Sequence, residues 1–245
     1  MIVFAAVIPN SPVLVKHSST IPELSLDAIA RIQEMLDRTL PDTILVISEH
    51  AQSFDSVFTL PFATKFTESL KRLGFISEHI SYPADSELLG RIQMYARTHH
   101  LPLRSIHSES LDAGSGIALR LLRAAQKKCS VVTIGTSART IEEHIAFGYE
   151  LKNIVHGSKK RVAVIITGNA GPREFARGII ASLIDRSHSQ LTSVVANTSA
   201  AGAETLSKPL AIGYGILRGF PPQTKLMSDE TTEHTQLVSA VLFSE

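Results

Sequence analysis

Four apolar runs, each closed by turn-forming residues, stand out along the chain: IVFAAVI (2–8), TILVIS (43–48), SVVTIG (130–135) and RVAVIIT (161–167). Short runs without alternation fit strands buried on both faces. Between them the apolar period changes. Leu26, Ile29, Ile32 and Leu36 recur at three and four residues, as do Ile117, Leu121 and Ala125, and Phe175, Ile179 and Leu183; this is the spacing of one helix face. Buried strands separated by helices predict an α/β fold, a central mostly parallel or mixed sheet with helices on both faces. SVFTLPF (56–62) and QLVSAVLF (236–243) predict two more strands, nearer an edge.

Composition narrows this picture. The chain has 245 residues, 44% hydrophobic and 19% charged, enough to bury a substantial core and too apolar for disorder over most of its length. With no internal repeat and no linker of domain-boundary quality, a single domain over residues 1–245 is expected. Net charge is +1, with Lys and Arg scattered apart from GSKKR (157–161), so no nucleic-acid footprint is present. Cys129 is the only cysteine. It excludes an internal disulfide and a Cys-rich zinc site, and at the head of an apolar run it reads as a buried structural thiol. The N-terminal MIVFAAVIPNSP lacks a basic leader and reads as a strand. No run reaches the roughly 18 apolar residues of a membrane span, so a cytoplasmic protein without a membrane partner is expected.

In such a sheet, chemistry sits beyond the carboxyl ends of the strands. Those ends read Pro9-Asn10-Ser11, Ser48-Glu49-His50, Thr136-Ser137 and Gly168-Asn169-Ala170-Gly171. Asn10 is either a turn residue or a binding group; His50 is a candidate metal ligand or acid/base group. TGNAGPRE (167–174) is either a short turn with Pro172 at the first helical position or a glycine loop whose free N–H groups, with Arg173, hold an anion. His144, in TIEEHIAFGYEL, reads as an ordinary surface or half-buried residue, and His99-His100 as a helix end. His17 and His107 are the remaining histidines that could approach a cleft.

Taken together, MIVFAAVIPNSPVLV, DTILVISEHAQSF, ESLDAGSGIALRLL, VAVIITGNAGPREF and AGAETLSKPLAIGYGIL resemble, in order and approximate spacing, the class III extradiol ring-cleaving dioxygenases. The likeness is to the catalytic subunit of protocatechuate dioxygenases, in a superfamily that includes Memo-like proteins. The resemblance implies a non-haem Fe(II) held by two His and one carboxylate, which leaves open positions for a catecholate and dioxygen. The matching positions are His50, retained as His, Glu204, retained as the carboxylate, and Asn10, standing where the family has its first His. The family also places a cleft His at position 113 and an acid/base His at position 172, where this chain has Ala113 and Pro172. Three of the five matched positions are thus replaced, and neither Ala113 nor Pro172 transfers a proton. An incomplete metal site with weak or vestigial ligands His50, Glu204 and Asn10 is expected, without a catalytic residue, in a cleft lined by Asp112 and Asn169.

The resemblance therefore implies a protein that has lost ring cleavage but keeps a cleft for a small aromatic or other ligand, or for a partner protein. A metal-dependent oxidoreductase or hydrolase is the alternative, using His50 and Glu204 with His17, His107 or Asn10 as substitute ligand. A homodimer is expected by analogy alone.

Overall fold

The computed structural model describes residues 1–15, 22–50, 54, 56–68, 70, 80–196, 205–233 and 235–245. The continuous apolar runs form the centre of the sheet. They are β1 (Ile2–Ile8), β2 (Thr43–Ser48), β7 (Ser130–Gly135) and β8 (Val162–Thr167), which pair parallel with one another in the order β7-β2-β8-β1. The other strands among the described residues are β3 (Phe58–Phe62), β4 (Lys65–Thr67), β5 (Ser81–Pro83), β6 (Leu103–His107), β9 (Lys225–Thr231) and β10 (Gln236–Ser244). The large sheet is eight-stranded and mixed, in the order β6-β3-β7-β2-β8-β1-β10-β9, with β4 and β5 paired apart from it. β3 and β10, the two strands expected near an edge, each lie one strand in from it.

The α-helices among the described residues are α1 (Glu23–Thr39), α2 (Ser86–Thr98), α3 (Ala113–Leu121), α4 (Ile141–Gly157), α5 (Arg173–Asp185), α6 (His188–Ala196) and α7 (Ser207–Ile216). α1 buries Ile29, Ile32 and Leu36, and α5 buries Phe175, Ile179 and Leu183, as their period requires. α3 stops short of the expected Ala125. Arg123 takes a left-handed φ of 50°, and Ala125 falls in the 3-10 turn that follows.

The sheet is covered on both faces, which follows from strand alternation. Ser48 at the end of β2 reaches Asp112 beside α3, whereas Glu49, the next residue, reaches Lys208 in α7. α7 packs closely on α4 because both surrender side chains at the crossing: a Cβ on Gly148 would strike the Ile212 carbonyl, and one on Gly215 the Ile145 carbonyl. β1, β2 and β8 are buried along their whole length. The result is a rigid platform whose carboxyl edge carries the candidate site.

Candidate functional site

Three strand ends build the site. Asn10 follows β1 and is 3% exposed, its backbone N–H donating to Asn169 Oδ1 at 3.3 Å. Ser48 closes β2; its hydroxyl donates to Asp112 Oδ1 at 2.7 Å and accepts from the His50 N–H at 3.2 Å. Asp112 is also the N-cap of α3. Its Oδ1 accepts from the Ser115 N–H at 2.9 Å and its Oδ2 from the Ser115 hydroxyl at 2.6 Å. An aspartate here satisfies an otherwise orphaned first-turn donor, and through Ser48 it also fixes the turn bearing His50.

Gly114, in the first turn of α3, marks where these elements meet. A Cβ on Gly114 would lie 2.7 Å from Ser48 Oγ, 2.8 Å from Asn10 Nδ2 and 2.9 Å from His50 Cδ2. Asn10 and His50, 40 residues apart in the chain, therefore come together over one glycine. Neither polar atom of the Asn10 side chain has a hydrogen-bond partner among the described residues, although both are buried. Asn169 lies beside Asn10, as its bond to the Asn10 N–H requires. Its backbone is paired both ways with Thr205: the Asn169 N–H donates to Thr205 Oγ1 at 2.9 Å, and the Thr205 N–H to the Asn169 carbonyl at 3.0 Å. Glu204 and His17 lie outside the described residues.

The glycine loop after β8 is not an anion cradle. Besides the Asn169 bond, the Ala170 N–H donates to the Gln236 carbonyl at 3.1 Å and the Gly171 N–H to Thr235 Oγ1 at 3.1 Å. Its donors are consumed in stitching β8 to distant segments. Gly171 has a φ of +76°, a conformation open to glycine. Pro172 is the extended N-cap of α5 instead of its first helical residue, and both Pro172 and Ala113 are exposed.

Among the described residues, His144, His107 and His99 stand apart from this cluster. His144 is fully buried and not at or near the surface. Its Nδ1 sits 2.7 Å from the Thr140 carbonyl and its Nε2 accepts the Ser137 N–H at 3.4 Å. Burial pushes its pKa below the ordinary value, and the Phe58 ring meets its edge at 4.9 Å. The pairing fixes a neutral ring protonated on Nδ1. His107 is no substitute ligand for this cleft: it ends the outermost strand, opposite Phe62, while β3 meets β7 at Thr59 and Gly135. His99 stacks on Tyr95 just beyond α2. Cys129 is a buried thiol whose pKa burial raises, which fits an inert residue.

Two polar partners at the site were not legible from spacing. Lys208 Nζ lies 3.2 Å from Glu49 Oε1, tying the start of α7 to the turn before His50. Thr167, the last residue of β8, has a buried hydroxyl without a partner among the described residues.

The described side chains do not fit a two-imidazole iron centre. His50 turns a carbon edge toward Gly114, Asn10 offers a neutral amide, and Asp112 is committed to Ser48 and the α3 cap. Among the described residues no group of three His, Cys, Asp or Glu side chains is placed to hold a metal ion, and no helix is long and apolar enough to cross a membrane. An amide oxygen is also a poorer donor to Fe(II) than imidazole.

No curated protein matches the chain significantly. The crystal structure of the uncharacterized protein JW3007 from Escherichia coli K12 shares its fold, with a TM-score of 0.71 over 98% of this chain and 100% of that one at 14% identity. The family model of the catalytic LigB subunit of aromatic ring-opening dioxygenase matches residues 9–171, which span the strand ends just described, and the chain belongs to that family.

Proposed function

We propose that this LigB-family protein has lost ring cleavage and uses its cleft to bind a small ligand, with catechol-like aromatic molecules as the first class to test. One observation carries the reading: at the carboxyl ends of β1 and β2, where the resemblance matches two family imidazoles, the buried neutral amide of Asn10 and the ring of His50 close on one point beside Gly114. The family's Fe(II) would activate dioxygen and a catecholate, and His50 with Glu204 is too small a donor set to hold it firmly. Proton transfer fails as well. Ring cleavage requires a base for the substrate hydroxyl and an acid later, steps in which a positioned group commonly contributes about a hundred- to ten-thousand-fold. Ala113 and Pro172 offer none. His144 does not replace them, since both its ring nitrogens are engaged with Thr140 and Ser137.

Metal analysis of protein purified without chelators tests the reading. Well under one equivalent of iron is expected. A full equivalent of tightly held metal that disappears in His50→Ala would favour the alternative, an active metal-dependent oxidoreductase built on His50 and Glu204.

A further inference from the structure

Two of the unpartnered side chains at the strand ends, Asn10 and Thr167, are brought to one face of the sheet. β8 runs between β1 and β2, and Thr167 is level with both Ile8 and Ser48. Residues level on parallel strands point to the same face, so the Thr167 hydroxyl shares the α3 face with Ser48. Asn10 Nδ2 and Ser48 Oγ lie 2.8 Å and 2.7 Å from one point beside Gly114. The Asn10 amide therefore spans from the end of β1 toward β2, over the end of β8 that carries Thr167. The nearby alternatives are spoken for: Ser48 is paired with Asp112 and the His50 N–H, and Asp112 with Ser115.

Asn10 Oδ1, Asn10 Nδ2 and Thr167 Oγ1 are all buried and without partners among the described residues, including one another. Buried polar groups left unmatched are costly, and several beside one another are commonly satisfied by one shared oxygen. The set contains an acceptor, a donor and a hydroxyl that serves as either. A bare cation would leave the Asn10 N–H groups facing it, and a carboxylate would leave Asn10 Oδ1 unmatched. The complement is a neutral oxygen bearing a hydrogen.

We propose that Asn10 and Thr167 form a hydroxyl-binding site on the α3 side of the sheet. A single water occupies it in the free protein, and a hydroxyl of the cleft's ligand takes the same place on binding. The second half rests on the ligand-binding reading above; the first does not.

The experiment is a double-mutant cycle on the full chain with Asn10→Leu and Thr167→Val, read by thermal unfolding in chelator-treated buffer. A shared oxygen makes Thr167→Val lower Tm by about 2–4 °C, as expected for one lost hydrogen bond in a chain of this size. In the Asn10→Leu background the same substitution should have a clearly different effect, because the oxygen is already lost. A Thr167→Val protein as stable as wild type or more so, or strict additivity, overturns the site. Dependence of the coupling on added Mg²⁺ or Zn²⁺ overturns it too, in favour of a cation. A crystal structure, free and soaked with catechol, separates the two sources: one oxygen within hydrogen-bond reach of both side chains in the free protein is the water, and its replacement by a catechol hydroxyl supports the second half. Coupling with no catechol bound would retain the water site and reject the ligand half alone.

Discussion

Gly114→Ala probes the convergence of Asn10, Ser48 and His50 most directly, because the added methyl occupies the point they surround. It would lie 2.7–2.9 Å from atoms of all three side chains, closer than carbon contacts tolerate. Overpacking of this kind costs about 1–3 kcal/mol. Against it stands the helical preference for Ala over Gly, up to about 1 kcal/mol within a helix and less in a first turn. The net expectation is a loss of about 1–2 kcal/mol, or a fall of about 2–8 °C in Tm for a protein of this size. Gly90→Ala in α2 is the matched control, since its Cβ would meet nothing within 4 Å, and it should be neutral or stabilising by up to about 1 kcal/mol. Urea and thermal unfolding of both variants, with Asn10→Ala combined with Gly114→Ala, would check the sign and the source. Removing the Asn10 amide should return part of the loss. A Gly114→Ala protein as stable as Gly90→Ala would refute the argument, for the three side chains would not then meet at Gly114.

The remaining expectations use other parts of the site. Asp112→Ala removes the α3 cap and leaves the Ser48 hydroxyl without its acceptor, at a cost of about 2–3 kcal/mol in chemical denaturation, whereas Asp112→Asn, which can still accept both bonds at Oδ1, should lose much less; equal losses would count against the shared cap. Burial holds the folded-state pKa of His144 below its unfolded value, so its contribution is complete above about pH 6.5 and declines as pH falls below that, by up to about 1.4 kcal/mol per unit, until the folded ring itself protonates. Between pH 7.5 and 5.5 wild type should therefore lose more stability than His144→Phe, and parallel losses would show that His144 charges freely in the folded protein. Asn10→His restores an imidazole beside His50 and should raise Fe(II) content over wild type by metal analysis; no increase would mean that Asn10 or Glu204 is matched to the wrong family position.

The central strands were legible almost to the residue because strands covered on both faces are built on continuous apolar runs, as in IVFAAVI of β1, ILVI within β2 and VAVII within β8. The margins were not. β9, KLMSDET, is an edge strand with mostly polar residues, and β6, LRSIH, has no fully buried position to set a pattern. α7 escaped for the opposite reason. SKPLAIGYGI is buried on every side between the sheet and α4, so no apolar stripe marks it as a helix. α2 did carry a usable signal, Asp85 capping ahead of Leu88, Leu89, Ile92 and Ala96.

Asn10 and His50 stood out in the sequence because each follows an apolar run within a segment that resembles a family motif, and the structure brings both beside Gly114. The parts played by Gly114, Ser48 and Thr167 depend on register between strands and on where α3 begins, which local spacing does not encode. The loop after β8 misled for a related reason: its N–H groups are consumed by Thr205 and Thr235, 36 and 64 residues away.

Oxygen consumption by the wild-type protein, loaded anaerobically with Fe(II) and then given air and a panel of catechols including protocatechuate, tests the central claim. With Asn10 at the position that the resemblance matches to the family's first ligand, and no proton-transferring side chain at Ala113 or Pro172, uptake should match that of free Fe(II) with the same catechol, and no ring-opened product should form. Sustained uptake with stoichiometric ring-opened product, abolished in His50→Ala, would contradict the account.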